Sequence, residues 1–231
     1  MKKIVTLLLA MTLCASSAFA ANAVRISMVY GGGGGGATTA ASYNQDFVEL
    51  FNASGAAINI GGWTIEYGSA TGNWGSSAGN IFTFPANTLI QPCHYLLVAL
   101  GTVSTNPVVP NVPSPDFSNT STNMSGSNGK VALFNAVNSN LACGSELAGT
   151  LVDKMAYGTG NCPEVTATAA LSTTTAAVRG GAGLNDTDNN SADFAVVATP
   201  APRSAISAPN TSCLATPNAS RTWGAIKTIY R

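Results

Sequence analysis

The sequence has 231 residues, only 9% of them charged, and its 10 basic and 10 acidic residues give a formal net charge of zero. The basic residues are scattered, which disfavours nucleic acid as a partner because that binding depends on clustered Lys and Arg that neutralise phosphates. His94 is the one histidine, so a histidine-rich zinc centre is excluded and a Ser-His-Asp triad would need this residue. We interpret His94 as a structural or surface residue.

The N-terminus predicts a secretory signal peptide over residues 1–20. Lys2 and Lys3 precede an apolar run at residues 4–13, and a small-x-small cleavage site ends at Ala20. The apolar run is too short to cross a bilayer. We therefore expect a protein that is secreted or held at the cell surface, with no membrane span.

Short apolar runs bounded by Gly, Pro or Asn predict an all-β domain. Residues 46–67 hold three such segments, in which Trp63, Ile65 and Tyr67 share a face. Glu49 and Glu66 are expected at opposite or solvent-facing positions. Further strands are predicted at residues 24–30, 81–84, 89–100, 130–134 and 151–157.

The segments between these strands are expected to be loops. The glycine run at residues 31–36 lacks the Lys-Ser/Thr of a nucleotide-binding loop, so we interpret it as a flexible connection. Residues 101–129, rich in Pro, Ser, Thr and Asn, predict a long loop that is either a binding loop or a mobile insertion. Residues 166–178 are compatible with strand or loop.

Four cysteines follow the predicted cleavage site, an even number in a protein bound for an oxidising compartment. Three pairings are possible. We favour Cys143 with Cys162, a loop whose closure stabilises by about 3 kcal/mol in the chain-entropy model, and Cys93 with Cys213. A four-cysteine metal site is the alternative, but no CxxC spacing is present.

Eight motifs in order and spacing resemble a lamin tail domain of the bacterial secreted type, over about residues 24–204. They are DFVELFN, GGWTIEY, PSPD, NMS, GKVALF, VDKMAYG, DTDNNSADF and TPAPRS. The resemblance implies an immunoglobulin-like antiparallel β-sandwich with long loops. Bacterial members of this family are exported and often accompany nuclease or phosphatase domains. Because no catalytic domain follows in this sequence, the resemblance implies a module rather than a reaction.

The DTDNNSADF motif is a candidate calcium site. Oxygens of Asp186, Asp188, Asn190 and Asp193 lie close enough in sequence to converge on a hard cation. The spacing is not that of an EF-hand, and Asp and Asn in tight turns also bond their own backbone. Calcium is the one cofactor that the sequence suggests.

A paired-carboxylate glycosidase is a further alternative, with Glu49 and Glu66 as acid and base. Nothing in the sequence marks a pocket between them, so we disfavour it.

The C-terminus changes character after Ser204. Residues 205–220 resemble a linker, and residues 221–231 form a basic, aromatic tail that is predicted to dock because so short a helix is unstable alone. The tail either docks on its own domain or serves as a recognition peptide for an export or attachment partner. Its candidate recognition residues are Trp223, Ile226, Lys227, Tyr230 and Arg231.

These observations predict a secreted, non-catalytic β-sandwich that acts as an interaction or cell-surface module, with an unidentified protein or surface component as its partner. The alternative is an accessory subunit that positions a separate extracellular nuclease, phosphatase or other hydrolase.

Overall fold

A computed structural model describes residues 23–34 and 41–214. The predicted signal peptide and the tail at residues 221–231 lie outside the described residues. The strands are β1 (Val24–Tyr30), β2 (Asp46–Asn52), β3 (Ile58–Asn59), β4 (Thr64–Ser69), β5 (Ile81–Thr83), β6 (Leu89–Ile90), β7 (Tyr95–Leu100), β8 (Phe117–Ser118), β9 (Gly129–Phe134), β10 (Leu151–Tyr157), β11 (Thr175–Arg179) and β12 (Phe194–Ala198). The two short helices are α1 (Asn190–Asp193) and α2 (Thr211–Leu214). Neither they nor the single 3-10 turns at Ala78–Asn80 and Gly181–Gly183 could span a membrane.

The described strands form two large sheets. The first has the order β12-β11-β1-β2-β7-β8, antiparallel except between β7 and β8, and the second has the order β10-β9-β4-β5. Strands β3 and β6 form a separate two-stranded ladder. Val48 and Leu50 of the first sheet pack with Ile65 and Leu133 of the second in one core. The fold is the predicted immunoglobulin-like β-sandwich.

Both faces of the first sheet are buried at β2. Along β2, Val48 and Leu50 enter the core between the sheets, while Phe47 lies on the outer face in a second apolar cluster with Tyr30. The rings of Tyr30 and Phe47 stack with centroids 5.2 Å apart. The outer face is covered by loop segments, which contribute Val112 to this cluster. Because the loops cover the outer face, β2 carries apolar side chains on both of its faces.

The prediction of one continuous strand over residues 89–100 is wrong, because the structure has two strands there with a break between them. Strand β6 ends at Ile90 and β7 begins at Tyr95. Between them, Pro92 has no N–H for a ladder bond, and Cys93 adopts a left-handed conformation with φ of 58°. The break sends β6 and β7 into different sheets.

Strand β12 was not predicted. The segment left open at residues 166–178 becomes regular only from Thr175, where β11 begins. The predicted loop at residues 101–129 contains β8, which pairs in parallel with β7.

Of the two positions expected for Glu49 and Glu66, the solvent-facing one is wrong, whereas they do lie on opposite sides of the sandwich. Both are fully buried, on the outer faces of opposite sheets, because their strand neighbours point into the shared core. Covering segments supply their partners: Arg203 Nη2 lies 2.7 Å from Glu49 Oε1, and the Asn138 N–H donates to Glu66 Oε1. The core separates the two carboxylates, so they do not form an acid–base pair.

The first four residues of the glycine run are packed rather than flexible. A Cβ on Gly31 would lie 2.4 Å from the Ser125 carbonyl oxygen, and one on Gly33 would lie 2.2 Å from the Gln45 carbonyl carbon. Gly34 has φ of 85°, which favours glycine. Residues 35–36 of the run lie outside the described part of the chain.

Two disulfides brace the sandwich, Cys143–Cys162 and Cys93–Cys213. These are the pairs that the sequence analysis favours. The second fastens the segment after Ser204 to the turn that precedes β7. In the same segment the Asn210 N–H donates to the Cys93 carbonyl, and the Asn210 side chain donates to the carbonyls of Gly181 and Ala182.

Asp46, the first residue of β2, holds two loops at one end of the sandwich. Its Oδ1 accepts the Gly33 N–H at 2.9 Å and its Oδ2 accepts the Met124 N–H at 2.7 Å. Burial raises the pKa of this carboxyl from 3.8 to about 7, against the lowering effect of the two hydrogen bonds.

Because this pKa is higher in the folded state than its ordinary value, the folded state binds the proton more tightly. The contribution of Asp46 to stability is therefore complete below about pH 4 and is lost as the pH rises to about 7. We expect the free energy of unfolding, measured with urea, to fall across this window less steeply in Asp46→Asn than in the wild type. Asp116→Asn is the matched control, since Asp116 also accepts two backbone N–H groups. A wild-type pH slope in Asp46→Asn would contradict the assignment.

Candidate functional site

Two of the predicted calcium residues, Asp186 and Asp193, lie beside a buried arginine, Arg179. Arg179, at the end of β11, has a side chain with no solvent exposure, and its Nη2 lies 2.7 Å from Asp153 Oδ2 on β10. Its Nη1 lies 3.1 Å from Asp186 Oδ1 and 3.7 Å from Asp193 Oδ2. Its Nε donates to the Ile26 carbonyl on β1. We call Arg179, Asp153, Asp186 and Asp193 the Arg179 network.

Two of the four predicted metal ligands converge, together with a residue that the sequence analysis missed. Carboxylate oxygens of Glu164, Asp186 and Asp193 all lie within 4.8 Å of one another. Burial, followed by the negative charge of Asp153, raises the pKa of Glu164 to about 8. The environment of Glu164 therefore favours its protonated form more than solvent does. Its only signal in the sequence is its position two residues after Cys162, whose disulfide holds that loop.

The other two predicted ligands point elsewhere. Asp188 is exposed in a left-handed conformation with φ of 55°. Asn190 is buried, and its Oδ1 accepts the N–H of Ala156 while its Nδ2 donates to the carbonyl of Lys154. Asn190 thus satisfies backbone groups on the free side of β10. Calcium binding by the four residues stays a prediction.

The acidic loop leads directly into β12, the last strand of the first sheet. The Gly180 N–H donates to the Asp193 carbonyl and the Thr199 N–H donates to the Thr174 carbonyl, which sets the alternation of the β11–β12 ladder. The N–H and C=O groups of Phe194, Val196 and Ala198 consequently point away from β11. No described strand pairs with that side of β12.

This edge of β12 is apolar and exposed. Its sequence FAVVA has no charge, and only Phe194 is buried, with the Arg179 guanidinium 4.5 Å from its ring centroid. Val196 and Val197 are 37% and 38% exposed. A cavity of about 340 Å³ lies on the outer face beside the strand, lined by Val197, Pro200 and other residues of β1, β11 and the segment that follows β12.

The other sheet edges in the described ranges are short or covered. Strands β8 and β5 have two and three residues. Strand β10 is long, but Asn190 binds its backbone and Thr168 exchanges hydrogen bonds with Ala156 and Gly158. Strand β12 is the one long, uncovered edge in the described part of the protein.

The remaining candidate residues do not form a site in the described structure. His94 lies in the turn before β7, and its Nδ1 is buried without a described hydrogen-bond partner. The predicted recognition residues of the tail lie outside the described residues.

The profile of the Lamin Tail Domain family matches residues 17–159. This match spans more than half of the chain, and the fold is an immunoglobulin-like β-sandwich. The chain belongs to the Lamin Tail Domain family. The match ends before β11, so the Arg179 side chain, the acidic loop and β12 all lie beyond it.

A solved structure supports the fold independently. A DUF4876 family protein from Bacteroides thetaiotaomicron superposes with a TM-score of 0.50 at 11% sequence identity, over 78% of this chain and 72% of that chain. At this identity the similarity concerns the fold alone. No curated protein matches the sequence.

We predict that removing one partner of the Arg179 network destabilises the fold strongly. Replacing Arg179 with Met leaves the buried Asp153 carboxylate without its cation, and such a loss costs about 3–5 kcal/mol. The double variant Arg179→Met/Asp153→Asn also removes the fully buried Asp153 charge, one of the three carboxylates that face Arg179, and should be more stable than Arg179→Met alone. Urea denaturation of wild type, both single variants and the double variant measures the coupling. Additive effects would contradict a direct ion pair.

The calcium prediction is tested by thermal melting. A cation that binds the folded state alone raises the melting temperature. We expect a higher melting temperature in millimolar Ca²⁺ than in chelator, and a smaller difference in Asp186→Asn. Asp116→Asn, outside the acidic loop, is the control. Identical melting curves with Ca²⁺ and with chelator would remove calcium from this site.

Proposed function

We propose that the protein is a secreted, non-catalytic β-sandwich that acts as an interaction or cell-surface module and receives an extended partner segment on β12. The observation that carries this proposal is the open, uncharged edge of that strand. An open edge offers a row of backbone donors and acceptors to a further strand, and adding a strand to such an edge is a recurrent mode of peptide recognition.

The contrast between β12 and the other edges supports an interaction role. Proteins protect exposed edges with charged side chains, proline, bulges or covering segments. Strand β10 is protected in this way by Asn190, whereas β12 carries no charge, no proline and no covering segment among the described residues. The Arg179 network also fixes the start of β12, which lowers the entropy cost of receiving a partner.

Export is supported by the chemistry of the cysteines. Two disulfides suit an oxidising compartment, and the sequence of residues 1–20 has the pattern of a secretory signal peptide. The non-catalytic assignment is supported by the separation of Glu49 from Glu66 and by the membership of the chain in the Lamin Tail Domain family.

The partner is sought in the native host. We expect wild-type protein to remain with the cell surface or a co-purifying protein, and Val196→Lys to appear in the medium without it, since a lysine on the edge opposes strand addition. Val108→Lys, at a loop position that is 69% exposed, is the matched control and should behave as wild type. The co-purifying partner distinguishes a surface component from a hydrolase that the module positions.

Melting temperatures of both lysine variants within a few degrees of wild type show that they fold. Unchanged fractionation and co-purification of a folded Val196→Lys would refute the role of the β12 edge.

A further inference from the structure

The β12 edge has a candidate occupant in the same chain. We propose that the C-terminal tail, residues 221–231, adds to β12 as an extended strand and covers this edge until a partner displaces it. The inference rests on the proposed role of β12 as a strand acceptor.

The position of the last described residues supports this assignment. Leu214 ends α2, and the neighbouring Cys213 is bonded to Cys93 with its Sγ 3.9 Å from the carbonyl oxygen of Asn52, the last residue of β2. In the sheet order, β12 lies three strands from β2, which is a lateral distance of roughly 14 Å. The six residues 215–220 span roughly 20 Å when extended. The tail therefore starts within reach of the edge.

The composition of the tail suits a strand. Its sequence RTWGAIKTIYR is rich in β-branched and aromatic residues, among them Thr222, Ile226, Thr228, Ile229 and Tyr230, which are favoured in strands. Gly224 disfavours the interior of a helix by about 1 kcal/mol. A strand that pairs with β12 satisfies backbone groups on both chains, which a short helix docked on the same edge would not do.

Charge complementarity favours the same occupant. The loop that leads into β12 presents the exposed carboxylate of Asp188, and the edge itself has no charge. The tail carries Arg221, Lys227 and Arg231. An acidic group in the loop that precedes the strand favours a basic segment over an acidic one.

The first experiment uses the full chain and limited trypsin digestion. A tail that is paired as a strand resists cleavage at Arg221 and Lys227. We expect these sites to be cut at least tenfold faster in Val196→Lys than in wild type, and Val108→Lys to match wild type. Equal cleavage in all three proteins would overturn the inference.

A second variant changes the backbone rather than the side chain. Val196→Pro removes an N–H that points away from β11, so it should expose the tail without breaking the β11–β12 ladder. If Val196→Lys proves unfolded by its melting curve, Val196→Pro takes its place in the digestion. Wild-type cleavage rates in a folded Val196→Pro would also overturn the inference.

The second experiment adds a fluorescent peptide of residues 221–231 to a protein that ends at Ser220. All described strands and both disulfides precede residue 215, so the truncation retains them. We expect saturable binding to the truncated protein, binding at least tenfold weaker to the full chain, and loss of binding in truncated Val196→Lys. Equal binding by a scrambled peptide, or equal binding to the full chain, would overturn the inference.

Light scattering distinguishes a tail that pairs with β12 of its own chain from a tail that pairs with β12 of a second copy. We expect a monomeric full-length protein, and a dimer that disappears on truncation at Ser220 would show that the tail occupies a neighbour's edge instead. The outcomes also separate the two proposals. The tail peptide could fail to bind while Val196→Lys still loses its partner in the host. That result would refute the tail as the occupant of β12 and would support the proposed function of the edge.

Discussion

The buried guanidinium of Arg179 is the interaction on which the C-terminal part of the structure depends. It joins β1, β10 and the acidic loop in one set of hydrogen bonds and ion pairs, and thereby ties the first sheet to the second. A buried ion pair of this kind often contributes little net stability compared with an apolar replacement, while loss of one partner is costly. Its value here is positional, because it fixes Phe194 and with it the start of β12. Strand β12 is thus attached to the rest of the fold by the contact of Arg179 with Phe194 as well as by its hydrogen bonds to β11.

The low content of charged residues shapes the rest of the molecule. Charges that would otherwise lie on the surface are used inside, where they attach loops to the outer faces of the sheets. Arg203 stacks on the ring of Tyr95 and binds Glu49, which fastens the segment after β12 to the first sheet. Lys130 lies near the ring of Trp74 and donates to the Gly72 carbonyl and to the Asn161 side chain on the second sheet. The surface is left with amides and hydroxyls, which are weak defences for an open sheet edge.

The sequence predicted those parts of the fold that depend on residues close together along the chain. Strands β1 and β10 have the predicted bounds because each apolar run ends at a glycine or a polar residue. Each run also stays within a single sheet. The burial of Glu49 and Glu66 could not be predicted, since a polar residue in an alternating strand indicates solvent unless a distant segment covers it. The covering residues, Arg203 and Asn138, lie 154 and 72 positions away.

The candidate site was predicted only in part for the same reason. Asp186 and Asp193 are grouped by sequence, but Glu164 joins them through tertiary packing, and Arg179 is indistinguishable in sequence from a surface arginine. Strand β12 was missed because FAVVA follows a cluster of turn-forming residues and is too short to show a period. FAVVA forms a strand because it pairs with β11. The sequence did not decide between strand and loop for the residues of β11.

A protein with a bare apolar edge faces self-association as well as partner binding, and this constraint bears on which segment covers β12. A segment tethered by six residues acts at an effective concentration of about a millimolar. A partner present at a micromolar concentration must then bind the edge roughly a thousandfold more tightly than the tail to displace it, a difference of about 4 kcal/mol. Strand pairing alone would favour the tethered segment, so a productive partner needs contacts beyond the backbone. The cavity lined by Val197 and Pro200 lies beside the strand and offers a place for such contacts.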